Sequence, residues 1–224
     1  MSQAPEKFSV AVGDERVSGL HYGAAAPARG WTLILGHGAG ADQSSDFMVA
    51  FARALAARGL ELVTFNFPYT EAGRGAPDRP PKLEATWRAV IAAVEARLPG
   101  RALAIGGKSM GGRIASQVAP DVQSVRALVF IGYPLHPPKQ QQKLRTAHLP
   151  AIRRPMLFVQ GGKDAFGTPE ELAPILAELQ PRPTIYPVLH GDHSLKVPKK
   201  AGVPQADIYT NVQDEIVRWL LTLS

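Results

Sequence analysis

The chain contains no cysteine. That absence removes disulfides, thiolate zinc sites and a cysteine nucleophile together, and it fits a reducing compartment. No apolar run reaches the roughly 20 residues that a membrane-spanning helix needs, and the opening "MSQAPEKFSV" lacks the apolar core of a signal peptide. A soluble cytoplasmic protein with no membrane partner is therefore expected. A basic stripe interleaved with aromatics is missing too. The net charge is +6, but the lysines and arginines are scattered, and their tightest groups, "AIRRP" and "KVPKK", are short. This predicts a solvated surface and no nucleic-acid partner. Repeats, low-complexity tracts and linker-like stretches are also lacking. The 224 residues are expected to form one domain, 1–224, large enough to bury a substantial core.

What is present is an alternation of strands and helices. "KFSVAVGDERVSGLHYG" alternates with period two around Gly13-Asp14 and reads as a β-hairpin. "WTLILGHG" is a nearly continuous apolar run, as expected of a strand covered on both faces. The helix after it spaces Phe47, Phe51 and Leu55 at helical intervals, with Ser44 or Ser45 as cap and Gly59 as stop. Further strands are expected at "LELVTFNF", "ALAIGGK", "ALVFIGY", "MLFVQGG" and "TIYPVL", and "YTEAGRGAPDRPP" reads as a polar loop. Helices are expected at "KLEATWRAVIAAVEARL", from about Ser109 to Val118, at "PEELAPILAEL", and from about Ala206 to Leu223. The expected class is α/β: a mainly parallel sheet with helices on both faces, preceded by an antiparallel hairpin. Chemistry in such sheets gathers at the carboxyl ends of the strands.

One of those ends reads "LAIGGKSMGGRIAS", four glycines around a serine. A Walker-type phosphate loop would need glycine where Ala102 stands, so that pattern fails. "GHGAGA" fits a dinucleotide fingerprint through Gly36, Gly38 and Ala41, but the next strand ends in Asn66-Phe67, without the acid a ribose would want. Gly107-Lys108-Ser109-Met110-Gly111 instead matches G-x-S-x-G, a nucleophile elbow, where side chains two before or two after the serine would strike the turn. Glycines at that spacing make room. Lys108, just before the nucleophile, is expected to point away from the substrate.

A serine hydroxyl needs a base to take its proton and an acid to orient that base, in the order Ser, Asp or Glu, His for this fold. Asp164 follows the strand "MLFVQGG" at the right sheet edge, and "LHGDHSLK" supplies His190, Asp192 and His193. His193, out in the loop past Gly191, is the expected base; His190 is expected to be packed or hydrogen-bonded near its strand end. Asp192 is the rival acid, otherwise a loop-shaping residue. The H-x-x-H spacing has no third ligand in view, so no metal is expected, and no cofactor. An oxyanion hole needs two backbone N–H groups. Met110, opening its helix, is one candidate, and Ala39 in "HGAG" is the other, with His37 fixing that loop.

"LGHGAGAD", "NFPYTEAGRGAPDRPPKLEATWRAV", "GGKSMGGRIAS", "YPLHPPKQQQKLRTAHLP", "QGGKDAFGTPEEL" and "GDHSLK" together resemble the alpha/beta-hydrolase family related to testis-expressed protein 30, which is similar to dienelactone hydrolases. The resemblance runs from about Trp31 to the C-terminus. It implies a compact alpha/beta hydrolase with Ser109, Asp164 and His193 as its triad. The chain departs from dienelactone hydrolases in carrying a serine where they carry a cysteine. The expected activity is hydrolysis of a small-molecule ester or thioester by a monomer or homodimer. The resemblance brings an alternative, a non-catalytic interaction module, because relatives include a subunit of a chromatin acetyltransferase complex.

Between Tyr133 and Met156 lies only "PLHPPKQQQKLRTAHLPAIRRP", too short for a large helical cap. A flap is expected there, with at most one short helix around Gln140 to Thr146. Its Lys139, Lys143 and Arg145 have two readings: one places them beside the entrance to favour a substrate with a negative group, the other has them simply keeping the flap soluble.

Overall fold

Eight strands pair into one sheet in the order β1-β2-β4-β3-β5-β6-β7-β8. The computed structural model describes residues 4–223. The first two strands, β1 (Glu6–Val12) and β2 (Glu15–Tyr22), form the hairpin expected around Gly13-Asp14, with Val12 opposite Glu15. A φ of 59° at Gly13 supplies the left-handed geometry that a two-residue hairpin turn demands. β2 then lies antiparallel on β4 (Glu61–Phe65). From there the sheet is parallel: β3 (Trp31–Gly36) sits between β4 and β5 (Ala102–Lys108), followed by β6 (Val125–Ile131), β7 (Met156–Gly161) and β8 (Thr184–Val188).

The central strands are buried throughout, which is why they read as unbroken apolar runs. Their side chains divide between two cores. Ile34, Ile105, Phe130 and Phe158 join α3 (Pro80–Arg97), α4 (Met110–Val118) and α5 (Pro169–Ala177) on one face. Leu33, Leu35, Val129 and Val159 join α1 (Asp46–Ala57) and α6 (Gln205–Leu221) on the other. Stops and caps follow local chemistry. Gly59, at φ 94°, ends the turn after α1, and Thr168 with Glu171 makes a capping box at the start of α5.

Three details differ from the sequence expectations. The loop after β4 begins with a helical turn, α2 (Pro68–Glu71), because Pro68 at its first position presets φ and needs no N–H partner. Ser45 occupies the N-cap of α1 but makes no capping bond; its hydroxyl donates to the Asp42 carbonyl instead. Residues 140–146 form turns rather than a helix, and the segment's only regular element is a 3-10 turn at Leu149–Ala151. Among the described residues no helix is long and apolar enough to cross a membrane.

The segment after β6 packs onto the α3–α5 face. The Tyr133 hydroxyl donates to the Arg145 carbonyl at 2.7 Å, the Arg145 N–H donates to the Leu135 carbonyl, and Leu149 and Ile152 are buried in that core. The fold thus has no lid.

Candidate active site

β5 runs straight into α4 at Ser109. Its backbone stands at φ 50° and ψ −114°, a region L-residues sparsely populate and one that stores on the order of 1–3 kcal/mol of strain. The surrounding structure enforces that turn. A Cβ on Gly107 or on Gly111 would fall far inside contact distance of the Gly36 carbonyl oxygen at the end of β3. Bare backbone therefore meets bare backbone at both flanking glycines, and Ser109 is held above the sheet edge by the Ile131 carbonyl, which accepts from its N–H at 3.0 Å. Gly111→Ala would press a methyl onto the Gly36 and His37 backbone, which has no side-chain freedom with which to yield. We expect Tm to fall by on the order of 10 °C. An unchanged melting curve would contradict this packing.

Two loops bring partners to the serine. The β7–α5 loop places Asp164, which is almost wholly buried, and the β8–α6 loop places His193. The Asp164 oxygens accept from the His193 ring at Nδ1, at 2.8 and 3.0 Å, while Nε2 lies 2.8 Å from Ser109 Oγ. A carboxylate only accepts, so Nδ1 carries the proton and Nε2 is left to accept from the serine hydroxyl. Asp164 is itself fixed by the Phe166 N–H at 2.8 Å and the Gln160 side-chain amide at 3.0 Å. The Phe166 ring lies 4.3 Å from the imidazole, centroid to centroid, and restrains its tilt.

The neighbouring residues of "LHGDHSLK" do other things. Asp192 shapes the loop: its Oδ1 accepts from the Ser194 and Lys196 N–H groups at 2.7 and 2.9 Å. His190 is exposed, at φ 61°, rather than packed or bonded at the strand end. Gly191 follows it against Val188, so the chain turns away before His193 turns back.

Met110 opens α4, so its N–H has no partner within the helix and lies where the dipole favours negative charge. The backbone at Gly38 runs beside the serine, since a Cβ built there would lie 3.6 Å from the Ser109 Cβ; Ala39 follows on the open side. His37 anchors this loop from beneath. Its Nδ1 donates to the Gly38 carbonyl at 2.9 Å and its Nε2 accepts from the Phe67 N–H at 3.3 Å. Burial pushes its pKa below the ordinary imidazole range, so it stays neutral and keeps both bonds.

A cleft of about 560 Å³ opens over Ser109 and His193. Its walls are Gly38, Ala39 and Ala41, the first turns of α1 including Phe47 and Met48, and Tyr209 of α6, with Lys108 and Lys196 adding charge. Sequence reasoning missed this wall, although the helical spacing of Phe47 and Phe51 marked α1 as having a face to bury. Lys139 and Lys143 are exposed elsewhere, Arg145 is half-buried in its own segment, and no residue of 134–155 lines the cleft. The expected flap belongs to the opposite face of the sheet. Lys108 is the second correction: it does not point away but lines the cleft and reaches the His193 loop. Among the described residues no group of three His, Cys, Asp or Glu stands where it would hold a metal ion.

Sheet order, strand-to-helix elbow and two loops converging on a serine define an alpha/beta hydrolase. The family model described as "Alpha/beta hydrolase domain" matches residues 29–221, most of the chain, and the chain belongs to that family. Solved structures share the fold at low identity. A serine hydrolase without lid from Xanthomonas campestris is 19% identical with a TM-score of 0.75, over 98% of this chain and 96% of that one. An alpha-beta serine hydrolase homologue from Coxiella burnetii is 19% identical with a TM-score of 0.77, over 98% and 99%. A dienelactone hydrolase from Anabaena variabilis is 19% identical with a TM-score of 0.75, over 98% and 99%.

Proposed function

We propose that the protein is a serine hydrolase that cleaves small carboxylic esters or thioesters through an acyl-enzyme on Ser109. The observation that carries this is the hydrogen-bonded line Ser109–His193–Asp164 at a strained elbow facing an open cleft. His193 Nε2 takes the hydroxyl proton as Ser109 Oγ attacks the acyl carbonyl. The resulting oxyanion is met by the Met110 and Ala39 N–H groups, each such donor contributing about 3 kcal/mol where measured in other enzymes. Collapse expels the alcohol or thiol, which takes the proton from His193, and water then repeats the sequence on the acyl-enzyme. Asp164 keeps the imidazole in the required tautomer and stabilises its charged form. The motifs quoted above place the protein, in our reading, among the hydrolases related to testis-expressed protein 30, with a small molecule as substrate.

The open cleft sets the expected acyl preference. Phe47, Met48, Ala39 and Ala41 offer a short apolar wall, and among the described residues no part of the 134–155 segment covers it. A short acyl chain finds cover there, whereas a dodecanoyl chain would leave most of its methylenes in water and gain little from them. In a panel of p-nitrophenyl esters, acetyl to butyryl substrates are expected to exceed dodecanoyl in kcat/KM by at least about tenfold. A preference for long chains would show that a pocket exists beyond this cleft. No turnover of any ester or thioester would favour the interaction-module alternative.

A further inference from the structure

Lys108 closes β5 immediately before Ser109. Its stem passes close to the 37–40 loop, with Cγ 3.7 Å from where a Gly38 Cβ would stand. Its ammonium then donates to the His193 backbone carbonyl at 2.6 Å. Ammonium and imidazole share the space over Gly132: a Cβ there would lie 3.1 Å from Lys108 Nζ and 3.4 Å from His193 Nδ1. One side chain therefore ties the strand that carries Ser109 to the loop that carries His193. The two residues are 84 positions apart, and their 2.8 Å contact depends on how that loop is seated. The rest of the loop is held from α6, by Gln205 bonded to Leu195 and Val197 and by Tyr209 bonded to Ser194, and from the turn after β7, where the Lys163 N–H donates to the Gly191 carbonyl at 2.8 Å. At His193 itself the main chain is gripped by Lys108.

The carboxylates near this ammonium have other commitments. Asp164 serves His193, Phe166 and Gln160, and Asp192 serves Ser194 and Lys196; neither makes an ion pair with Lys108. Burial accordingly lowers the Lys108 pKa to about 8, with Asp164 and Asp192 opposing the shift through their charge. His193 stands beside it, and Asp46 of α1, Lys196 and Tyr209 of α6 complete the titratable groups around the cleft. Burial pushes the Tyr209 hydroxyl above the ordinary phenol range.

We propose that Lys108 is a positioning residue, whose charged ammonium on the His193 carbonyl keeps the imidazole in reach of Ser109 and whose deprotonation loosens that hold. The inference rests on the hydrolase function proposed above. A bond from an ionised donor is about twice as strong as one from a neutral amine, so the hold weakens as pH rises through about 8. Stability moves the other way. Between about 8 and the ordinary lysine value of 10.5, the unfolded chain binds a proton that the folded chain has lost, so this group's contribution to stability rises with pH. Falling activity with rising stability over one pH range is a signature that a merely structural lysine would not give.

The test is the pH dependence of kcat and kcat/KM for p-nitrophenyl butyrate from pH 6 to 9.5, in the wild type and in Lys108→Met, which keeps the stem and removes the charge. The wild type is expected to lose activity above about pH 8. Lys108→Met is expected to show about tenfold lower kcat at pH 7 with little change in KM, and no decline at alkaline pH. If Lys108→Met does not fold, Lys108→Arg serves, because its guanidinium stays charged and should hold the plateau to pH 9.5. Wild-type kcat in Lys108→Met, or the wild-type alkaline decline persisting in either variant, would overturn the proposal. A wild type that hydrolyses no ester at all would defeat the hydrolase function instead, so the two failures are distinguishable.

Discussion

Ser109→Ala is expected to lower kcat by on the order of a million-fold, because nucleophile and base act as a unit and neither works without the other. The fold should survive the change. Ser109 is partly exposed, its hydroxyl bonds only to His193, and alanine accepts the same backbone with the strain already held by Gly107 and Gly111 against β3. KM is expected to change little, since the cleft wall from Phe47 to Ala50 is untouched. Steady-state kinetics on p-nitrophenyl butyrate with a matched thermal melt would decide it. Activity above a few per cent of wild type, from a folded variant, would remove Ser109 from the mechanism.

His193→Ala should cost nearly as much, and His190→Ala almost nothing. The contrast follows from position. His193 bridges Ser109 and Asp164 with bonds of 2.8 Å on each side, whereas His190 is exposed at the outside of the same loop. Asp164→Asn is expected to lower kcat by about ten-thousand-fold, because an amide can donate to Nδ1 and so favours the wrong imidazole tautomer. Asp192→Asn keeps an oxygen to accept from Ser194 and Lys196, and should stay within about tenfold of wild type. Measuring the four variants side by side checks the assignment internally. A more damaging His190→Ala, or an Asp192→Asn worse than Asp164→Asn, would reverse it.

The parts of this site that are legible in the sequence are those written in local spacing. Glycines two residues either side of Ser109 announce a tight turn by their spacing alone, although the backbone they make room for, Gly36 and His37 at the end of β3, lies about 70 residues away in sequence. The hairpin is legible for the same reason, through Gly13 in a two-residue turn. Asp164 and His193 can be placed because strands alternate with helices, so the loop following each strand must reach one sheet edge. Direction across the sheet is not encoded that way. Nothing local to "LHPPKQQQKLRTAHLP" says which face it will cover; that is decided by Leu149 and Ile152 finding the core beside α4. The cleft is therefore walled by α1 and Tyr209 rather than by the flap. Lys108 is obscured by the same kind of distance, since its partner is a carbonyl in a loop 85 residues on. α2 carries a local signal too, since Pro68, directly before the loop that starts at Tyr69, is a residue that opens helices.

The central claim is that Ser109 is an activated nucleophile. The most direct measurement is intact-protein mass spectrometry after treatment with a fluorophosphonate, which labels a serine only when a base withdraws its proton. The account predicts one covalent adduct per chain, mapped to Ser109 by peptide sequencing, absent in Ser109→Ala and strongly slowed in His193→Ala. No adduct on the folded wild-type protein, or an adduct that persists in Ser109→Ala, would contradict it.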